Sequence, residues 1–144
     1  MIDQIKWDDR YIELARTMAI FSKDPSTKTG AVITMNNAVI AMGFNGFPRG
    51  IADDERLNDR ETKYKIIIHC EENAAITAAR DLHGATLYTW PFPSCAPCAS
   101  RAIQRGFVRV VAPHIPDELM ERWGSDIELT EQLFREAGVE YIWL

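Results

Sequence analysis

Apolar positions recur along the chain with two periods, and the alternation between them predicts a succession of helices and strands. From residue 7 to 22, Trp7, Tyr11, Leu14, Ala15, Met18 and Phe21 stand three or four apart, the spacing of an amphipathic helix. Asp24-Pro25 ends it, since the residue before a proline is pushed out of the helical region. The polar turn Ser26–Gly30 leads into Ala31 to Met35, a β-prone run; Asn36-Asn37 offers a tight turn, and Val39 to Phe44 is the return strand. Gly43 to Gly50 holds three glycines and a proline in eight residues and cannot be regular. Asp53 through Thr62 is a charged connector, a solvated loop or a short surface helix, and Tyr64 to Ile68 is apolar enough to pack.

The second half repeats the alternation. Asn73 to Leu82 is rich in alanine and reads as a helix, with Gly84 as its stop, and Ala85 to Thr89 as a strand. Cys98 to Gln104 forms a short helix closed by Gly106, and Phe107 to Ala112 another strand. Leu129, Leu133, Phe134 and Ala137 share one side of a last helix with Gly138 as its cap, and Val139 to Leu144 closes as a strand. The order α-β-β-α-β-α-β-α-β predicts an α/β fold with one mixed, five-stranded sheet flanked by helices on both faces.

Length and charge narrow the possibilities. A chain of 144 residues fits one domain, taken as residues 1–144, that buries on the order of 70% of its unfolded surface. With 47% hydrophobic and 26% charged residues it has the composition of a soluble globular protein. A net charge of -5 disfavours a nucleic-acid surface, which carries a basic footprint. Asp3, Lys6, Asp8 and Asp9 interrupt any secretory leader, and no apolar run approaches the ~20 residues of a membrane span. Three cysteines, two of them in a Cys-x-x-Cys pair, fit metal chemistry in a reducing compartment, so a cytoplasmic location is expected.

The chemistry concentrates in His69-Cys70-Glu71 and in Cys95 and Cys98, which begin 24 residues after Glu71. One imidazole and two thiolates make a three-ligand zinc site whose fourth tetrahedral position is open, the arrangement of catalytic rather than structural zinc. Cys95 and Cys98, three apart at a helix start, can reach one ion from the same face. Glu71, two residues from His69, suits a carboxylate beside the water of that open position, whose pKa zinc lowers to about 7. Each motif falls where a strand or loop enters a helix, and the N-terminal partial charge helps to keep thiolates ionised. Three alternatives stand: a closed site with Cys70 as fourth ligand, a buried histidine with unrelated thiols, and Glu71 as a solvated helix-start carboxylate.

His-x-Glu followed by Pro-Cys-x-x-Cys is a known signature of zinc nucleobase deaminases. With it, Asp24-Pro25-Ser26-Thr27-Lys28-Thr29-Gly30-Ala31, Gly43-Phe44-Asn45-Gly46-Phe47-Pro48-Arg49-Gly50, Asp53-Asp54-Glu55 and Lys63-Tyr64 make the chain resemble the deoxycytidylate (dCMP) deaminases of the cytidine deaminase superfamily, from about Trp7 to Gly138. Two departures are visible: Cys70 stands where the family has alanine, and Pro93-Ser94-Cys95 puts serine directly before the first cysteine. The histidine and cysteines of a second, structural zinc found in some members are missing, so one catalytic Zn2+ is expected.

The resemblance implies a cytidine deaminase-like three-layer sandwich that converts dCMP to dUMP and ammonia. Water activated at the zinc attacks C4, and Glu71 moves protons to N3 and then to the departing amine. It also implies that Asn45 binds the sugar or base, that main-chain groups near Ala31, Cys70 and Ser94 line the pyrimidine, and that dCTP and dTTP act as allosteric effectors of a homo-oligomer, a dimer or hexamer. Arg49, Lys28 and Arg122 are candidates for the phosphate, Arg49 by its loop and Arg122 because Glu121-Arg122-Trp123 could fold over the mouth. Trp90 and Trp123 are expected chiefly to pack, and His83 and His114 to lie at the surface. Rival readings are a deaminase of another base or nucleotide (cytidine, 5-substituted dCMP, dCTP, guanine, tRNA adenosine) and a non-catalytic dNTP-sensing domain.

Overall fold

A computed structural model describes residues 3–144. Its centre is a five-stranded sheet in the order β2-β1-β3-β4-β5, with β1 Gly30–Met35, β2 Ala38–Phe44, β3 Thr86–Trp90, β4 Arg109–Ala112 and β5 Glu140–Trp143. β1 runs antiparallel to both β2 and β3, whereas β3, β4 and β5 are parallel. The sheet is therefore mixed, as the alternation implied. Asn36 and Asn37 both take positive φ, 52° and 60°, the geometry that a two-residue hairpin turn demands.

Alternate side chains of each strand enter separate cores. Ala31, Ile33, Leu87 and Val110 pack under α3 (Cys70–Ala78), α4 (Ala96–Gln104) and α5 (Asp117–Ala137), meeting Ala74, Ala99 and Phe134. Val32, Tyr88 and Val111 point the other way, onto Tyr11, Ile12 and Ala15 of α1 (Gln4–Ala19). Helices thus cover both faces, three on one side and one on the other. No helix among the described residues is long and apolar enough to cross a membrane.

Two glycines set how closely the helices lie. A Cβ on Gly30 would stand 2.0 Å from the Ala15 carbonyl oxygen of α1, and one on Gly43 would stand 2.5 Å from the Ala74 nitrogen and 2.7 Å from the Cys70 carbonyl oxygen of α3. Both obstacles are backbone, so neither can swing aside. The α3 N-terminus is further tied to β2 by the Asn73 amide, which donates to the Phe44 carbonyl at 2.7 Å.

Several boundaries differ from the periodicity. α1 starts at Gln4 because the Asp3 carboxylate accepts from the Lys6 amide, and it ends at Ala19 in tighter i to i+3 turns that leave Phe21 59% exposed. α3 stops at Ala78 instead of Leu82, since Ala79 turns left-handed at φ 50°; Gly84 belongs to the turn before β3. α5 is 21 residues long and buries Gly124, Ile127, Thr130 and Phe134, not the expected Leu129 and Ala137, which face solvent. The charged connector folds into a 3-10 turn, Glu55–Asn58, and a short helix α2, Arg60–Ile66, whose inward residue is Lys63 while Tyr64 is exposed.

One polar cluster crosses the α1 side of the core. Arg109 grips Asp8 with both terminal nitrogens, 2.7 and 2.6 Å from the two carboxylate oxygens, and the Tyr88 hydroxyl donates to the same carboxylate at 2.7 Å. Burial pushes the Asp8 carboxyl up, but the Arg109, Tyr88 and Gln4 hydrogen bonds outweigh it and hold the group below its ordinary value. A carboxyl depressed in the fold contributes stability above its unfolded pKa of about 3.9, lost as pH falls through the folded value. Asp8→Ala, which leaves Arg109 without its buried partner, is expected to cost about 3–5 kcal/mol in urea unfolding at pH 7. That difference should shrink as pH falls below about 4, where the unfolded chain's Asp8 takes up its proton first, and vanish only once the pH passes the lower value of the folded carboxyl.

Candidate active site

The two sequence motifs arrive as helix caps. His69 is the N-cap of α3 with extended backbone, φ -70° and ψ 156°, and Cys95 is the N-cap of α4, φ -65° and ψ 162°. Ile68 and Gly46 form an isolated antiparallel bridge that presents His69 from the glycine-rich loop. β3 delivers the other motif through Pro91–Ser94, and Pro97 sits in the first turn of α4, where its missing N–H leaves no bond unmade. Both helix N-termini then face one point.

There the His69 Nδ1 lies 3.2 Å from the Cys98 Sγ and 3.6 Å from the Cys95 Sγ, and the three donor atoms all lie within 4.8 Å of one another. Tetrahedral zinc with Zn–S of about 2.3 Å and Zn–N of about 2.0 Å places such donors roughly 3.6 Å (N to S) apart, so the donor set fits this ion. Cys98 is buried and His69 exposed, which leaves one side of the cluster open to solvent. Cys70 is not part of it. Its thiol is buried and points instead at Glu71 Oε1, 3.6 Å away, which disposes of the four-ligand cage.

The charges agree with a metal site. The Cys98 thiol and then the His69 ring, by hydrogen bonding, push the Cys95 thiol down to about 5, while Cys98 rises because it donates that proton and is buried. Hydrogen bonding to Cys95 also raises His69 above its usual value. Cys70, desolvated and beside the Glu71 carboxylate, is pushed well up and stays a thiol.

Glu71, only 8% exposed, reaches the same cavity, where its Oε2 accepts from the Ser94 hydroxyl at 2.7 Å. The cavity holds about 200 Å³, and its walls include Thr29, Asn45, Trp90, Phe92, Trp123 and Ile127 beside His69, Glu71 and Cys95. Both tryptophans therefore border it; Trp90 also packs on the α1 side of the core, whereas Trp123, 40% exposed, does not take the packing role expected of it. His83 and His114 are exposed, as expected.

The expected substrate contacts divide. Asn45 borders the cavity, but its amide is engaged: Oδ1 accepts from the Thr29 N–H at 2.9 Å, and Nδ2 donates to the Thr27 carbonyl at 2.9 Å. Cys70 and Ser94 line the wall; Ala31 is fully buried behind it. None of the three cations chosen for the phosphate lines the cavity. Lys28 donates to the Ser22 carbonyl at 2.6 Å and to that of Asp24 at 3.1 Å, Arg49 lies in a separate groove beside Phe47 and Pro48, and Arg122 stands over the Trp123 ring at 5.5 Å.

Sequence reasoning missed three contributors. Lys63, buried, lines the cavity and donates to Asp24 Oδ1 at 3.1 Å and Ser26 Oγ at 3.2 Å. Asp126 on α5 accepts from the Ala96 N–H at 3.1 Å, and Thr130 donates to the Ser94 carbonyl at 2.9 Å. Only the Lys63-Tyr64 pair carried a signal. Asp126 and Thr130 lie on a helix that the motifs do not touch.

Comparison with known proteins agrees with this arrangement. A hydrolytic zinc deaminase is the class that the fold and donor set define. The chain belongs to the cytidine and deoxycytidylate deaminase family, whose zinc-binding region matches residues 5–113. It is 42% identical over 139 residues to the Aliivibrio fischeri protein named "Uncharacterized deaminase in luxG 3'region", covering 96% of this chain and 94% of that one. It is also 31% identical to the deoxycytidylate deaminase of Mus musculus, covering 96% of this chain and 80% of that enzyme. In fold it is similar to the dCMP deaminase of cyanophage S-TIM5 in complex with dCMP and dUMP, with a TM-score of 0.76 at 24% identity, covering 100% of this chain and 99% of that one.

Metal binding should release protons in proportion to these shifts. The lowered Cys95 and the raised Cys98 share one proton as a pair, so zinc displaces about that one proton plus the fraction held by His69. Calorimetric titration of the metal-free protein in buffers of different ionisation enthalpy should count between one and two protons, with affinity rising as pH rises. A pH-independent affinity would contradict the thiolate site.

Proposed function

We propose that the protein deaminates a cytosine deoxynucleotide, dCMP to dUMP and ammonia, with residues 1–144 as a single deaminase domain. The observation that carries the reading is a buried carboxylate, Glu71, in one cavity with a three-donor site that opens to solvent. The relatives named deoxycytidylate deaminase support the substrate.

His69, Cys95 and Cys98 would hold the zinc. When bound it supplies Lewis acidity, which makes a water molecule acidic near neutral pH. Glu71 takes a proton from that water and delivers it to N3 as the oxygen adds to C4. It then carries the second proton to the amino group, the C4–N bond breaks, and ammonia leaves. Thr29, Asn45 and Trp123 enclose the nucleotide, while main-chain groups near Cys70, Ser94 and Ala31 orient the pyrimidine.

The phosphate lies toward the mouth, where Arg122 adjoins Trp123; Arg49 and Lys28 belong to the same proposal as cations of the surrounding loops. Assembly into a dimer or hexamer and control by dCTP or dTTP extend it. Assembly is supported by the exposed Ile20 and Phe21, 70% and 59% accessible. Three free cysteines suit a cytoplasmic setting.

Ammonia release from dCMP, 5-methyl-dCMP, dCTP, cytidine and guanine should be fastest with dCMP; a preference for a different base would overturn the substrate. Glu71→Gln should keep its zinc and lose roughly 10²- to 10⁴-fold in kcat. Turnover at the wild-type rate in that variant would remove Glu71 from the mechanism.

A further inference from the structure

Serine stands where the deaminase signature places proline, directly before the first cysteine ligand. Proline has no hydroxyl. Here the Ser94 Oγ donates to Glu71 Oε2 at 2.7 Å, the length of a charge-assisted O–H···O bond, and the donor is 2% exposed. The other carboxylate oxygen has only the Cys70 thiol near it, at 3.6 Å, a weak contact. Among the described residues, Ser94 is thus the one strong partner of the carboxylate.

Ser94 is itself held from two sides. Its carbonyl accepts from Thr130 Oγ1 of α5 at 2.9 Å, and its neighbour in the chain is the ligand Cys95. The same residue therefore fixes the distance between the carboxylate on α3 and the thiolate capping α4.

We propose that Ser94 is a positioning residue whose hydroxyl locks Glu71 against the ligand loop and leaves Oε1 as the oxygen that exchanges protons with substrate. This rests on the reading of Glu71 as proton carrier. Its action is geometric: a carboxylate free to swing about its side-chain torsions spends little time aligned with the reacting atoms, and misplacement by about 1 Å costs on the order of 100-fold. The signature: a change in kcat, with binding and metal left as they were.

The test compares zinc-loaded wild type, Ser94→Ala, Ser94→Thr and Glu71→Gln. Ser94→Ala should lose about 10- to 100-fold in kcat for dCMP with KM within about threefold of wild type and zinc content unchanged, and Ser94→Thr, which keeps the hydroxyl, should recover most of the loss. A crystal structure of zinc-loaded Ser94→Ala should show the Glu71 carboxylate moved or spread over several rotamers. Wild-type kcat in Ser94→Ala, or a Glu71 carboxylate unmoved in that crystal, overturns the proposal, as does a loss confined to KM or zinc content. Failure of the wild type itself to deaminate dCMP would sink the assigned reaction instead, and the crystal would still decide the role of Ser94.

Discussion

The backbone of α3 lies almost against the backbone of β2, and the site depends on that contact. Gly43 makes it possible, because any side chain there would meet the Ala74 nitrogen and the Cys70 carbonyl. Interiors are packed too densely to absorb such an intrusion without displacing an element. The element displaced would be α3, whose first residues are His69 as cap, Cys70 and Glu71. A hydrogen on one strand residue therefore sets where a metal ligand and a proton carrier stand.

The second ligand pair reaches the same point from the opposite direction. β3 runs parallel to β4, so its carboxyl end opens into the loop that carries Ser94 and Cys95, and α4 begins there. Two helix N-termini consequently converge, and their partial positive charge favours the thiolates that a cation needs. The lowered Cys95 and the raised Cys98 are two sides of one shared proton, the state that a metal ion resolves. Glu71 lies beside the ligands, kept in place by Ser94, and burial together with its carboxylate keeps Cys70 a thiol.

α5 supplies what the motifs lack. Trp123 and Ile127 close the cavity, Asp126 caps the Ala96 amide at the start of α4, and Thr130 fixes the Ser94 carbonyl. On the opposite wall the buried Lys63 and Asp24 join α2 to the loop after α1, an ion pair that is strongly constrained once out of water. These residues hold the reacting groups rather than resemble them.

The amino-acid sequence by itself determined the donor set and the layer order. Cys95 and Cys98 at i and i+3 are a local relation that turns both sulfurs toward one point, and Glu71, two positions from His69, cannot stand far from that ligand. The two periods of apolar residues likewise marked strands and helices, because burial on one face imposes them. Tertiary structure decided the rest. Which stripe of α5 turns inward was ambiguous, since Leu129 is as apolar as Ile127, and only packing against α4 and β5 decides that Gly124, Ile127, Thr130 and Phe134 are buried. Lys63 directly follows a charged run, and it is buried because Asp24, 39 positions away, is there to receive it. Lys28, Arg49 and Arg122 carried the right charge at plausible positions, but a cation's place depends on contacts that no local pattern encodes. Ser94 and Glu71 are 23 residues apart, and their bond exists only because the sheet brings two helix starts together.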